Sequence, residues 1–191
     1  MKDAVYSSKR EVRTFAELHH ASNVLLQTAL EHVKGNRYTV MSSLLLRAFA
    51  FEAYLNHLGE RHLNLWDATT ERLAWHEKFG MVCNGINFKP DVSQRPYQTL
   101  KRLFRFRNAL AHGKSETITA GGETRSDRDP KLALCWPTTH WEKYCTLKNA
   151  QRAQADIMAI IEDLHARVGL KGRPFDPPAT EVTLTLKKLP T

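Results

Sequence analysis

The feature that most constrains this chain is the spacing of its apolar residues. Through four long stretches they recur every three or four positions rather than every second one, and each stretch closes on a glycine. That period puts one side of an α-helix into a core. Leu18, Ser22, Leu25, Leu26, Ala29 and Val33 mark the first such face, opened by Thr14 and Glu17 at capping-box spacing and stopped at Gly35-Asn36. The second helix is expected from Thr39 to Leu58, with Met41, Leu44, Leu45, Ala48, Phe49 and Leu55 inward and Gly59 at its end. A third runs from near Pro96, which suits a first turn, to His112-Gly113. The last opens at Thr139 and Glu142, again at capping-box spacing, carries Ile157, Ile160, Ile161, Leu164 and Val168, and closes at Gly169. A short helix over Thr70 to Phe79, closed by Gly80, and a loop "MVCNGINFKPDVSQRP" lie between. The expectation is an all-α fold, a four-helix up-down bundle with one short extra helix.

Two segments depart from the helical period. Residues 114–137 contain a Gly-Gly turn among β-branched residues and read as a hairpin or irregular insert. After residue 170 the chain is proline-rich and then alternates Val182, Leu184 and Leu186, the pattern of an edge strand or of an arm on a partner chain. The organisation expected is one helical domain over residues 1–170 and a C-terminal tail over 171–191. A chain of 191 residues builds one core rather than two.

The chain carries a net charge of +8 and a pI near 9.5, a balance that fits a polyanionic partner. Its three cysteines, Cys83, Cys135 and Cys145, are odd in number and widely spaced, which argues against a disulfide framework. The opening "MKDAVYSSKREVRTF" lacks the apolar core of a signal peptide. Arg47 and Glu52 interrupt the most apolar stretch, so no membrane span is expected, and the cytoplasm is the expected setting.

Chemistry concentrates in "FRFRNALAHGK", residues 104–114. Leu100, Leu103, Phe104, Leu110 and Ala111 form one arc of a helix, and Arg107 falls at its centre. Glu52 is the matching oddity among Met41, Leu45, Ala48 and Leu55 on the second helix, with Asn56 one turn on. Each lone charge on an apolar stripe needs an opposite partner, so Glu52 and Arg107 are expected to pair. Such a pair serves either a site or simply the register of two helices. Asn108 and His112 share a helix face, and Gly113 allows a sharp turn after them. From Arg95 to Lys114 there are six basic residues, Arg95, Lys101, Arg102, Arg105, Arg107 and Lys114, and no acidic one. That is a phosphate-binding surface around a histidine. On an ideal helix, however, Arg107 and His112 point about 140° apart. They converge only if the helix unwinds near His112 or if two chains share the site.

"RNALAH" resembles the Arg-x(4–6)-His motif of HEPN domains (higher eukaryotes and prokaryotes nucleotide-binding). The residue after the arginine is typically polar in that family and is Asn108 here. "LLLRAFAFEAYLNHL" resembles the family's apolar helix bearing an acidic residue, and the likeness spans roughly residues 15–170, without the insert and the tail. The resemblance implies a dimerising four-helix bundle. It further implies a metal-independent endoribonuclease of a toxin–antitoxin or antiphage system, or else a non-catalytic nucleotide-binding or interaction module. Arg107 and His112 are then the catalytic pair, Asn108 assists them, and Glu52 supports Arg107. The expected partners are RNA, a second copy of the chain and an antitoxin or regulator; no cofactor is expected.

The physical reading agrees, because RNA carries its own nucleophile and an imidazole beside a guanidinium can move its proton and hold its phosphate. Lys101, Arg102, Arg105 and Lys114 are expected to contact RNA, with Phe106, off the apolar stripe, stacking on a base. Trp136 and Trp141 read as packing anchors. His19, His20, His57, His62 and His76 read as surface or packing residues rather than metal ligands, and Ser42-Ser43 as first-turn residues of a helix.

Overall fold

The structure, a computed structural model, describes residues 3–64, 66–119, 137–176 and 180–187. A strand, β1 (Asp3–Arg10), leads into α1 (Thr14–Glu31) and α2 (Arg37–His62). After a single 3-10 turn at Thr70–Arg72 come α3 (Trp75–Gly85) and α4 (Gln98–Ala111). A short α5 (His140–Tyr144), the long α6 (Leu147–Arg167) and a strand β2 (Thr180–Lys187) complete the chain. The described residues are mostly helical, as the apolar period requires. β2, in the tail, pairs antiparallel with β1, Ala4 opposite Leu186 and Arg10 opposite Thr180. The alternation of the tail is thus met within the same chain, and the first strand, which the helical reading did not foresee, is its partner.

α2 is the central helix and packs against α1, α3, α4 and α6. It buries Val40, Leu44, Ala48, Phe51, Tyr54, Leu55 and Leu58, the larger aliphatic and Phe side chains contributing about 1.5–3 kcal/mol each of hydrophobic stabilisation. Ile157, Ile160, Ile161 and Leu164 of α6 fill the other side of the core.

Several boundaries differ from the sequence reading, each for a local reason. Gly59 lies inside α2, where the Trp66 ring packs so closely that an added Cβ would come within 2.1 Å of it. The glycine is there for contact, not for a stop. Likewise Gly80 lies inside α3, which runs on to Gly85. Arg13, not Thr14, caps α1, without a side-chain bond. The Thr139–Glu142 capping box does form: Thr139 Oγ1 accepts from Glu142 N at 3.1 Å and Thr139 N donates to Glu142 Oε2 at 2.7 Å. Yet the helix it opens is only α5, because Thr146 caps a new start by accepting from Asn149 N at 3.2 Å. Phe49, expected inside, is 41% exposed. Most of the insert, including Cys135 and Trp136, lies outside the described residues; Cys83 and Cys145 are free thiols.

The buried faces also hold polar groups. Arg47 is 1% exposed and finds no carboxylate; it meets His19 Nδ1 and donates to Asn23 Oδ1, which also accepts from Gln154 at 2.8 Å. To accept from a guanidinium, His19 Nδ1 must be unprotonated. Burial, reinforced by Arg47, pushes the His19 pKa down to about 4, and the Phe175 ring stacks on it at 3.7 Å. The folded state therefore binds fewer protons than the unfolded chain between about pH 6.5 and pH 4. The stability this group contributes is complete above the unfolded value and is lost as pH falls through that window. Going from pH 7 to pH 5 should cost about 1–2 kcal/mol through His19. Thermal melts of wild type and His19→Gln, which keeps an acceptor without titrating, measure it: the variant should show the smaller drop.

Candidate active site

α4 is amphipathic, with Thr99, Leu100, Leu103, Phe104 and Phe106 buried. Its N-terminal end is tied to α6. Arg95 grips Asp156 through Nε at 2.9 Å and Nη2 at 2.6 Å, and Thr99 Oγ1 donates to the same carboxylate. Arg95 therefore leaves the basic run and is a structural ion-pair member.

One turn before the other end of α4, Arg107 reaches α2. Its Nη2 donates to Glu52 Oε2, as the two lone charges required, and its Nη1 donates to Asn108 Oδ1 at 2.9 Å. The Phe104 and Phe49 rings lie 5.3 Å and 5.8 Å from the guanidinium carbon. A third member joins from α3: Lys78 Nζ donates to Glu52 Oε1 at 3.1 Å with its side chain only 2% exposed. One carboxylate thus faces two cations, and the cluster keeps a net positive charge. The Arg107 side chain is 17% exposed, and its Nε is buried without a hydrogen-bond partner. An unsatisfied buried donor is costly, and it could bond a phosphate oxygen only if the guanidinium turned outward.

Lys78 was hidden in the sequence by the assignment of Gly80 as a helix end. With α3 continued to Gly85, Trp75, Lys78, Phe79 and Val82 fall on one stripe, and Lys78 becomes a third lone charge on an apolar face. Asn56 does not join the cluster. It lines a separate cavity with Arg13, Thr14 and Glu60 at the start of α1.

His112 follows the last residue of α4 and is exposed. Its backbone N–H donates to Asn108 O at 2.9 Å, so the helix stays wound up to it. Its imidazole has no hydrogen-bond partner among the described residues. Gly113 follows because a Cβ there would come within 2.8 Å of Ala109 O. The backbone thus stays helical up to His112 and departs only at that residue, so the unwinding that would bring Arg107 and His112 of one chain together is not present before it.

No family model matches the chain, and neither does any curated protein or solved structure.

Lys101, Arg102, Arg105 and Lys114 are exposed. Arg102 and Arg105 point to a cavity against α5, whereas Lys101 stands at the rim of an apolar cavity lined by Trp75, Phe79 and Tyr97. Phe106 corrects the expectation of a base platform. It is 2% exposed and packs on Tyr144 with ring centroids 5.4 Å apart. The apolar arc of α4 is wider than its stripe suggested because α5 covers the next side. Of the five histidines weighed as packing or surface residues, His19 is buried, His57 half-buried, and His20, His62 and His76 exposed. Among the described residues no group of three His, Cys, Asp or Glu side chains is arranged to hold a metal ion, and no helix is long and apolar enough to cross a membrane.

Proposed function

We propose that the chain is a HEPN-type, metal-independent endoribonuclease that works as a two-fold dimer. The observation that carries this reading is the cluster at the end of α4: Arg107, held by Glu52 and keeping an unused donor, with Asn108 bonded to it and an unpartnered His112 one turn on. In the proposed reaction the 2′-oxygen attacks the adjacent phosphorus and its proton passes to a His112 imidazole. The P–O5′ bond breaks, and the leaving oxygen takes a proton from the second chain's His112. Arg107 stabilises the charge that builds on the phosphoryl oxygens. The products are a 2′,3′-cyclic phosphate and a 5′-hydroxyl end. Purified protein with EDTA present should generate such ends from single-stranded RNA, read by their resistance to direct ligation and phosphatase. A chain that cuts no RNA under any condition refutes the enzyme.

The dimer is supported by the divergence of Arg107 and His112 expected on one straight helix, and by Phe49, an exposed aromatic against Arg107. A two-fold contact using this patch sets one chain's arginine toward the other's histidine. Phe49→Asp should convert dimer to monomer in light scattering and remove cleavage with it. A wild type that is monomeric at micromolar concentration overturns this part.

The alternative is a non-catalytic nucleotide-binding or interaction module, favoured by how little of Arg107 is exposed. For the ribonuclease reading, the resemblance to HEPN proteins suggests a role in a prokaryotic toxin–antitoxin or antiphage system, with an antitoxin or regulator as partner.

A further inference from the structure

Between α4 and α5 lies a cavity of about 270 Å³, just below the usual size range of small-ligand sites. Arg102 and Arg105 from α4 and Lys143 from α5 line it, and none of the three has a carboxylate partner among the described residues. The one acidic residue of α5, Glu142, is turned to other work, closing the Thr139 capping box and pairing with Arg37. The rings of the lining are those of Trp141, Tyr144, Phe106 and His140; Phe106 is buried against Tyr144, and Trp141 and Tyr144, both half-buried, offer larger ring faces than His140. The Arg37 guanidinium, its charge paired with Glu142, lies over the Trp141 ring, 5.3 Å from its centroid, and helps to fix that ring. Burial pushes the Tyr144 hydroxyl up to about 12, so it remains a protonated phenol able to donate. Asn149 commits its Nδ2 to Tyr144 O at 2.8 Å and keeps its side-chain oxygen for a ligand.

Three uncompensated cations, the Trp141 and Tyr144 rings among the aromatic lining, and amide and phenol hydrogen-bonding groups match the parts of one nucleotide: phosphate, base face and base edge. The volume suits a single unit rather than a stack of several. Position agrees too. Arg105 and His112 are seven residues apart on α4, on nearly the same side and about 10 Å apart along its axis. A strand bound here therefore runs toward His112.

We propose that this cavity is a nucleotide subsite: it holds one nucleotide of a single strand, the phosphate on Arg102, Arg105 and Lys143 and the base against Trp141 and Tyr144, beside the bond presented to His112. The proposal deepens the ribonuclease reading and rests on its nucleic-acid part. It also gives Trp141 a task beyond the packing role that its sequence context suggests.

The test uses a short single-stranded DNA oligonucleotide, which lacks the 2′-hydroxyl and so is bound but not cut, followed by fluorescence anisotropy on the full chain. Trp141→Ala should weaken binding about tenfold and leave its salt dependence unchanged, as loss of a stacking contact requires. Arg102→Ala with Arg105→Ala should weaken binding and flatten the salt dependence by roughly one unit of slope. Should Trp141→Ala fail to fold, Trp141→Leu keeps most of the volume and serves the same comparison. The proposal is overturned if either tryptophan variant binds as wild type. It is equally overturned if an acidic peptide displaces the DNA as effectively as excess DNA does, which would mark the cavity as a protein-docking site. RNA cleavage with unaltered DNA binding in these variants removes the subsite alone. Binding at the cavity without any RNA cleavage removes the enzyme and leaves the subsite.

Discussion

His112→Ala should reduce RNA cleavage by at least 10²-fold, the scale on which general acid–base groups act, with the fold and RNA affinity nearly unchanged. The side chain is exposed, follows the end of α4 and makes no hydrogen bond among the described residues, so its removal opens no cavity and strands no partner. A loss of activity with an intact melting temperature therefore assigns chemistry rather than structure to it. Mixed dimers sharpen the point. If each proposed site draws on both chains, one His112→Ala chain in a dimer removes either the acid or the base from every site and should abolish activity instead of halving it. Equal cleavage by wild type and His112→Ala would end the enzyme reading and leave the interaction module.

Glu52→Ala should have the largest effect on stability, about 3–5 kcal/mol. The carboxylate is the shared partner of Lys78, 2% exposed, and Arg107, 17% exposed, and removing it leaves two like charges together in a low-dielectric setting. At roughly 2–4 °C per kcal/mol for a chain of this size, the melting temperature should fall by about 6–20 °C. Lys78→Met added to Glu52→Ala should recover part of the loss, because it removes the more deeply buried of the two stranded charges. The three side chains form one network, so the double variant should differ from the sum of its parts. Additivity, or a Glu52→Ala protein as stable as wild type, would show that the pair is weakly coupled and that Arg107 is free to swing out. Cleavage by that variant then reports separately on whether Glu52 orients Arg107 for phosphate.

Contacts that depend on consecutive residues are legible in the sequence, and those that depend on distant segments are not. Arg107 and Glu52 were visible as partners because each is a lone charge on a helical stripe, and a stripe is a property of consecutive residues. The end of α4 at His112-Gly113 was visible for the same reason. Lys78 was not, since its stripe appears only when α3 is continued through Gly80, and a glycine in sequence does not say whether it stops a helix or lies within one. Gly59 repeats the lesson: it looks like a terminator and is a contact surface for Trp66.

What the sequence alone determined is the helical character of the chain, the extent of α4, the charges that must find one another, and the concentration of basic residues around His112. All are read from spacing along one dimension. The tertiary structure alone decided that Phe106 is covered by Tyr144, that Arg47 is buried on His19 and Asn23, and that residues 3–10 pair with residues 180–187. It also set Trp141 against Arg102 and Arg105 around one cavity. These contacts join segments far apart in the chain. They depend on how helices rotate and cross as side chains pack, and no periodicity within a single segment encodes that rotation.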